Sequence, residues 1–327
     1  METRRPTNPA AEEILGRYFP VLDHGFVALV DYMGSDEDVE RAARVSYGYG
    51  TRRTSQTRGL IRYLRRHHHT TPSEMVELKF HCAMPIFIAR QWIRHRTASV
   101  NEMSGRYSLM PLLYYRPDRA QFQAQSASNR QGRSGAPLDS LYAEAVERWE
   151  RIRSEASNGY EWLVGNDVAR ELARIDLPLS VYTQWYWKID LHNLLHFLTL
   201  RVDAHAQYEI RAFGLVMAGM LQRVAPLSFE AWLDYDVAGT RLSHGELAAL
   251  RKLVRVRDGR LEAADGTRLD AKELETLGLS NREVEELLAK LGSVPALEDF
   301  TLDLSRARSP DEFAREMEAA VPKVDRR

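Results

Sequence analysis

The amino-acid sequence predicts an α/β fold of the α+β type, with a central antiparallel sheet flanked by helices and a small α+β extension toward the C-terminus. Apolar and polar residues alternate from Val76 to Cys82, which is the pattern of a half-buried strand. Several other segments repeat apolar residues at helical spacing. After Asp236 the pattern changes to a short hairpin followed by another helix. Strands and helices therefore share one chain whose composition, 44% hydrophobic and 28% charged, is typical of globular proteins.

The first half of the chain begins with an N-terminal arm, residues 1–22, which has three prolines and little periodicity. Residues 25–33 are rich in Val and Phe and predict a strand. Residues 35–45 predict a helix, because a serine is a suitable cap at its start and acidic residues fill its first turn. An apolar stripe at 60–64 predicts a second helix, and residues 85–96 predict a third, opened by a proline.

The second half contains the remaining predicted elements. Residues 118–137 are polar and predict a long loop. The elements that follow are a helix from Leu138, a helix at 168–175, a strand at 179–187, helices at 191–200 and 204–224, a hairpin with its turn at Asp258-Gly259, and a helix capped by Ser280 and Glu283. We therefore divide the chain into the arm (1–22), a main domain (23–235) and a C-terminal extension (236–327).

Composition and charge exclude several classes of protein. The 45 Lys and Arg residues balance 46 Asp and Glu residues, so no overall field attracts nucleic acid or an anionic membrane. Apolar runs are far shorter than the roughly 18–20 residues that span a bilayer, and the first residues have no apolar segment typical of a secretory signal. The single cysteine, Cys82, excludes a disulfide framework and a cysteine-based zinc site. We expect a soluble, cytoplasmic protein.

The neutral total conceals a basic segment. Between Arg44 and Arg106 twelve Lys and Arg residues face three Glu residues, an excess of nine positive charges in 63 residues. Such an excess is common on a solvated face, and it is also what a binding site for a polyanionic ligand requires. The count alone does not decide between these two interpretations.

The densest part of this segment runs from Gln91 to Tyr107. In a helix continuing to His95, Arg90 and Arg94 would share one face, and like charges at that spacing repel each other unless an anion compensates them. Arginine binds phosphate through a bidentate fork, and Ser104-Gly105-Arg106 adds a hydroxyl, an accessible backbone and another fork. These residue types favour a site for a nucleotide phosphate.

Four blocks of sequence resemble a known family. Arg94 to Ser104, an Arg-His-Arg followed seven residues later by a serine, resembles the signature of the flavin-dependent (alternative) thymidylate synthases. The blocks 69–74, 173–178 and 200–210 are similar to further segments of that family and occur in the same order. The resemblance covers about residues 24–235, so the main domain would be the catalytic domain.

The resemblance implies a homotetramer with FAD sites shared between subunits. Such an enzyme methylates dUMP to dTMP, taking carbon from methylenetetrahydrofolate and hydride from NADPH or NADH through the flavin. The resemblance implies no nucleic-acid partner and no membrane.

The resemblance also assigns roles to residues of this chain. Arg201 would lie against the uracil and act as the catalytic residue by stabilising negative charge on the ring. His69 would lie near the flavin and folate. The residues implied to hold dUMP are Gln91, Arg94, Glu102, Ser104, Gly105, Arg106, Arg174 and Arg201. The residues implied to hold FAD are Thr71, Arg94, His95, Arg96, Glu102, Asp190, His192 and His196. At the last three positions some relatives carry Asn, Arg and Asn.

Alternatives from other classes stay open at this point. Ser104 could be a nucleophile activated by His95. The three histidines at 67–69, or His192 with His196 at i, i+4, could bind a metal, although no third ligand is evident and our prediction is that no metal is bound. The basic segment could bind RNA, although it carries no RNA-recognition motif. Arg201 could simply begin a salt-bridged helix.

Overall fold

The protein, described here from a computed structural model, is defined for residues 7–46, 57–127, 132–257, 260–263, 271–276, 284, 287 and 299–323. The chain forms two compact units. The main unit combines Met1–Ala231 with Asp299–Arg327, and the small unit spans Trp232–Glu298. Residues 299–323 therefore belong with the main unit, whereas the division by sequence placed them in the extension 236–327.

The strands that the structure describes are β1 (Tyr18–Val21), β2 (Gly25–Met33), β3 (Glu77–Pro85), β4 (Ser99–Glu102), β5 (Gln123–Gln125), β6 (Arg133–Pro137), β7 (Tyr182–Asp190), β8 (Val254–Arg257) and β9 (Arg260–Ala263). Five of these form the sheet of the main unit in the order β1-β2-β3-β7-β4, and every neighbouring pair is antiparallel. β5 pairs with β6, and β8 pairs with β9. The predicted central antiparallel sheet is confirmed.

The described helices are α1 (Pro9–Glu12), α2 (Asp36–Val45), α3 (Thr57–Arg66), α4 (Thr71–Glu74), α5 (Ile86–Trp92), α6 (Asp139–Gly165), α7 (Arg170–Ala173), α8 (Leu191–Arg201), α9 (Tyr208–Val224), α10 (Pro226–Trp232), α11 (His244–Leu253), α12 (Ala271–Thr276) and α13 (Pro310–Ala319). Short 3-10 turns lie at Arg119–Gln121 and Leu304–Arg306, and a π turn at Leu233–Val237. None of the helices within these described ranges is long and apolar enough to cross a membrane.

The core of the main unit lies between one face of the sheet and helices α5, α8 and α9. β3 and β7 pair with Phe80 opposite Trp187, and both side chains are fully buried. Trp92, the last residue of α5, packs against Trp187 and stacks on Phe197 of α8 with ring centroids 5.1 Å apart. This aromatic cluster fixes the end of α5 beside α8, which decides where the following residues emerge.

The C-terminal segment 299–323 closes the other side of the main unit. Tyr18 of β1 and Arg308 exchange backbone hydrogen bonds of 3.0 and 2.7 Å, which extends the sheet edge by one bridge. Phe313 of α13 is buried against Phe26, with ring centroids 4.8 Å apart. The backbone nitrogen of Leu112 donates to the carbonyl of Ala320 at 3.0 Å. This segment is therefore part of the packing of the main unit.

Most predicted elements have counterparts in the structure. The predicted arm, however, contains α1 and β1, the strand predicted at 179–187 lies at Tyr182–Asp190, and three further elements differ. The helix predicted over 85–96 ends at Trp92, because a tight turn follows in which His95 N donates to the Trp92 carbonyl. The predicted loop 118–137 contains the pair β5 and β6. The helix predicted from residue 204 begins at Tyr208. The predicted turn at 258–259 and the cap at 280–283 lie outside the described residues.

Candidate active site

A cavity of about 390 Å³ brings together five of the predicted site residues. We name it cavity A; its lining residues are Arg94, His95, Arg96, Thr97, Ile189, Asn193, His196, Leu200 and Arg201. The turn after α5 and the length of α8 form its walls. Residues more than 100 positions apart in the sequence thus meet here, as the resemblance implies.

Arg201 is held in cavity A by two hydrogen bonds from its guanidinium group. Its Nε donates to Nε2 of His95 at 3.1 Å, and its Nη2 donates to the backbone carbonyl of Gln91 at 3.4 Å. Burial, together with the charges of Arg201 and His196, lowers the pKa of His95 to about 4. His95 is therefore a neutral acceptor near pH 7, and it orients the guanidinium without adding a charge.

The N-cap and the first two turns of α8 hold the three predicted flavin residues in different ways. Asp190 caps the helix, accepting from the backbone nitrogen of Asn193 at 2.9 Å and from its Nδ2 at 2.7 Å. Nδ1 of His192 is buried and has no hydrogen-bond partner within the described residues. His196 is exposed on cavity A, with its ring centroid 5.8 Å from that of His95. Of these three residues, His196 alone lines cavity A.

A second group of predicted residues surrounds the turn after β4. Gly105 is buried, and a Cβ atom there would lie 2.8 Å from Sδ of Met110 and 3.1 Å from Cδ of Arg174. Ser104 Oγ accepts from the backbone nitrogen of Arg106 at 3.3 Å. Close approach of Arg174 to the backbone therefore requires glycine at position 105.

Arg106 points to a second cavity, which we name cavity B. It measures about 400 Å³, and its lining residues are Arg106, Tyr107, Leu109, Val164, Asp167, Val168, Ala169, Arg170 and Glu171. Nε of Arg106 forms an ion pair of 2.9 Å with Glu171, and both side chains are more than half exposed. Cavities A and B share no lining residue among those described.

Three further predicted residues line neither cavity. Glu102 of β4 accepts a hydrogen bond of 2.7 Å from the hydroxyl of Thr183. Thr71 is the exposed first residue of α4. His69 is exposed before α4, and its ring meets that of Tyr63 edge to face at 5.7 Å. The structure thus leaves these side chains near the sheet edge and the start of α4.

The alternative chemistries receive no support from this geometry. Nε2 of His95 accepts from Arg201, so that nitrogen is not bonded to Ser104. In the part of the chain that the structure describes, no three His, Cys, Asp or Glu side chains gather as metal ligands would. The half-buried Arg201 forms its hydrogen bonds within cavity A, rather than ion pairs at a helix start.

The sequence analysis did not select three polar residues that belong to this region. Asn193 lines cavity A one helical turn from His196. Gln207 donates to the buried carboxylate of Glu209 at 2.8 Å, and its amide oxygen accepts from the side chain of Gln91. Gln207 and Glu209 stand inside the block at 200–210 that resembles the family signature, so their position was the available signal.

Comparisons with known proteins identify the family. The sequence model of the family described as "Thymidylate synthase complementing protein" matches residues 28–227. A flavin-dependent thymidylate synthase of Gluconobacter oxydans is 49% identical over 292 residues, covering 88% of this chain and 92% of that protein. One from Rickettsia conorii is 46% identical over 288 residues, covering 83% and 97%.

A solved structure is also similar. The UMP/dUMP methylase PolB from Streptomyces cacaoi, bound with 5-Br UMP, is 33% identical with a TM-score of 0.60, covering 67% of this chain and 98% of that one. The four ordered blocks, the cavity that collects their arginines and histidines, and these matches agree. The chain belongs to the flavin-dependent thymidylate synthase family.

Proposed function

We propose that this protein is an FAD-dependent methyltransferase that converts dUMP to dTMP, with methylenetetrahydrofolate as carbon donor and NADPH or NADH as reductant. The observation that carries the proposal is cavity A, in which Arg94, His95 and Arg201 of two family signatures meet. A bound flavin supplies hydride transfer between the nicotinamide and the one-carbon unit, which protein side chains cannot perform.

The residues around cavity A fit a flavin dinucleotide. Arg94 and Arg96 are exposed guanidinium groups, which suit a diphosphate through bidentate hydrogen bonds. His95 and His196 line the same cavity and add imidazole nitrogens to this set of groups. We assign FAD binding to Arg94, His95, Arg96 and His196, with His192 beside them.

The chain's own groups can hold and activate the pyrimidine nucleotide. Ser104, Arg106 and Arg174, around the buried Gly105, offer a hydroxyl and two guanidinium groups to the phosphate. Arg201 stabilises the negative charge that develops on the uracil as its C5 becomes nucleophilic. Because Arg201 is half-buried and already oriented by His95, this electrostatic effect is stronger than it would be in water.

We propose that each active site is completed by a second copy of the chain in a homotetramer. Nucleotide-binding residues lie at both cavities, yet the two cavities share no described lining residue. Helix α6 also leaves Leu141, Ile152 and Trp162 at least half exposed, although their helical spacing predicts a buried face. Both features fit contacts between subunits.

Complementation tests the shared site. Assayed at dUMP concentrations far below Kd, Arg106→Ala alone should keep about a tenth of wild-type activity and Arg201→Ala alone about a thousandth. The two co-expressed should form mixed tetramers with about a quarter of wild-type activity, since random assortment leaves that share of sites intact. Mass photometry checks the assembly. Mixed tetramers no more active than Arg106→Ala alone would place both residues in a site made by one chain.

The activity is tested on the purified full-length protein. A flavin absorbance spectrum, NADPH oxidation with and without dUMP, and tritium release from C5-labelled dUMP measure the cofactor, the reductant and the ring chemistry separately. We expect a flavin spectrum and dUMP-dependent tritium release. A protein that binds no flavin, or that releases no tritium, would overturn the proposal.

We further propose that the catalytic domain comprises residues 23–235 completed by 299–323, that the small unit is an accessory, and that the protein works in the cytoplasm. Replacing residues 236–298 by a short flexible linker should leave flavin binding intact. Deleting 299–327 in the same background should reduce soluble protein, because Phe313 is buried against Phe26. Loss of flavin with the linker variant would make the small unit part of the site.

A further inference from the structure

Glu209, in the first turn of α9, is a buried carboxylate whose two oxygens accept three side-chain hydrogen bonds. Its Oε1 accepts from the hydroxyl of Tyr115 at 2.9 Å. Its Oε2 accepts from Nη2 of Arg133 at 2.6 Å and from Nε2 of Gln207 at 2.8 Å. Burial raises the pKa of Glu209, but Arg133 and Gln207 outweigh that effect and the pKa falls below its usual value. Glu209 is therefore an ionised group that only accepts hydrogen bonds.

This carboxylate fixes the direction of two amides in series. Because Glu209 offers no proton, Gln207 must turn its NH₂ group toward it, and the carbonyl end of the Gln207 amide then faces the other way. That carbonyl oxygen accepts from Nε2 of Gln91. The Gln91 nitrogen is thereby committed to Gln207, and its Oε1 is the end of the amide available to a ligand.

Gln91 lies directly beside the residue assigned to the pyrimidine. Its backbone carbonyl accepts from Nη2 of Arg201, the group that would lie against the uracil. Uracil carries an N–H donor at position 3 of the ring, whereas cytosine carries a lone pair there. A carbonyl oxygen at this position accepts a hydrogen bond from the N–H of uracil, and it is repelled by the lone pair of the cytosine nitrogen.

We propose that Glu209 is a positioning residue that, through Gln207, holds Gln91 with its carbonyl oxygen toward the pyrimidine and so makes the site select uracil over cytosine nucleotides. The inference rests on the proposed function, since it needs a pyrimidine nucleotide beside Arg201. Glu209 itself does not touch the base; it acts by denying Gln91 the opposite amide orientation.

The test compares the dissociation constants of dUMP and dCMP on the flavin-loaded full-length enzyme, measured by calorimetry. Gln207→Leu removes the link at an exposed position, so the fold should persist, and Glu209→Gln replaces the acceptor-only group by an amide that can face either way. Each change should lower the preference for dUMP about tenfold, the worth of one hydrogen bond. Tyr115→Phe is the matched control: it removes a bond to the other oxygen of Glu209 and should leave the preference unchanged.

Melting temperature and flavin absorbance are measured on each variant to separate misfolding from altered selectivity. If Gln207→Leu lost dUMP and dCMP affinity equally and so kept its preference for dUMP, the inference would be overturned. The hydrogen bonds of Glu209 and Gln207 would then have a structural role only. Equal binding of the two nucleotides by the wild-type enzyme would also overturn it, while leaving dUMP methylation in place. Failure of the wild-type enzyme to bind dUMP would instead overturn the proposed function, and this inference with it.

Discussion

Cavities A and B hold their arginines in opposite ways. In cavity A, Arg201 is half-buried and bonded to a neutral histidine and a backbone carbonyl. In cavity B, Arg106 pairs with Glu171, and both side chains are more than half exposed. An exposed ion pair contributes about 0–1 kcal/mol, so a phosphate can displace it at little cost. Under the proposed function, Arg201 in cavity A is already oriented to stabilise charge on the base, while Arg106 in cavity B can exchange Glu171 for a ligand phosphate.

The largest effect is expected at Arg201. Arg201→Ala should lower kcat on the order of 10³-fold with little change in flavin content, because charge stabilisation on the ring is lost while the other cavity residues stay. Single-turnover kinetics and the flavin-to-protein ratio measure the two effects. Arg201→Lys keeps the charge without the bidentate fork, so its kcat should lie between that of the wild type and that of Arg201→Ala. Equal losses of flavin and turnover would reassign Arg201 to cofactor binding.

Alanine substitutions of Arg174 and Arg106 compare the contribution of a half-buried guanidinium group with that of an exposed one. Arg174→Ala should raise the Kd for dUMP about 30-fold, and Arg106→Ala about tenfold, since Arg106 must first leave Glu171. Calorimetry with dUMP measures both changes, with Arg41→Ala as the control, because Arg41 is an exposed residue of α2 that lines neither cavity. An unchanged Kd in Arg174→Ala would remove that residue from the site.

Gly105→Ala tests the close approach between the loop and Arg174. The added Cβ would lie 2.8 Å from Sδ of Met110, so the loop or the arginine must move. We expect dUMP to bind up to about tenfold more weakly and the free energy of unfolding to fall by about 1 kcal/mol. Gly159→Ala, where a Cβ meets nothing within 4 Å, is the control. Unaltered dUMP affinity would show that the loop tolerates displacement.

The smallest effect concerns His95 and pH. An unfolded histidine takes up a proton below pH 6.5, whereas the folded His95, with its pKa lowered to about 4, does not until far lower pH. Stability contributed by His95 is therefore lost as the pH falls from 6.5 toward 4. Between pH 7 and pH 5, the free energy of unfolding of His95→Gln should fall by about 1 kcal/mol less than that of the wild type. This value is reduced for solvent screening at this half-exposed site. Urea unfolding measures it, and His205→Gln, at an exposed position, is the control; identical losses in both variants would contradict the prediction.

Local elements were predictable from sequence, and the division of the site into two cavities was not. The strand Gly25–Met33 and the helix Asp36–Val45 follow from β-branched content and a serine cap, which act over a few residues. The end of α5 at Trp92 depends on packing against strand and helix residues nearly 100 positions away. A periodic pattern carries no information about that contact. The prediction that Arg90 and Arg94 share one helical face was wrong for this reason, because Arg94 lies beyond the end of α5.

The site residues show the same limit. The resemblance selected Arg94, His95 and Arg201, and the structure brings them together. It did not indicate that Asp190 uses its carboxylate to cap α8, although that hydrogen bond is local. It could not indicate that Gln207 binds Gln91, because that hydrogen bond joins segments 116 positions apart.

The bridge between Tyr18 and Arg308 bears on how the protein is made. The chain leaves the main unit at residue 231 and returns at residue 299, so the small unit is topologically an insertion. During synthesis from the N-terminus, β1 emerges long before its partner segment does. For that interval the nascent sheet presents an open edge able to pair with other chains. The edge of β1 is thus covered at Tyr18 only after residue 308 has been synthesised.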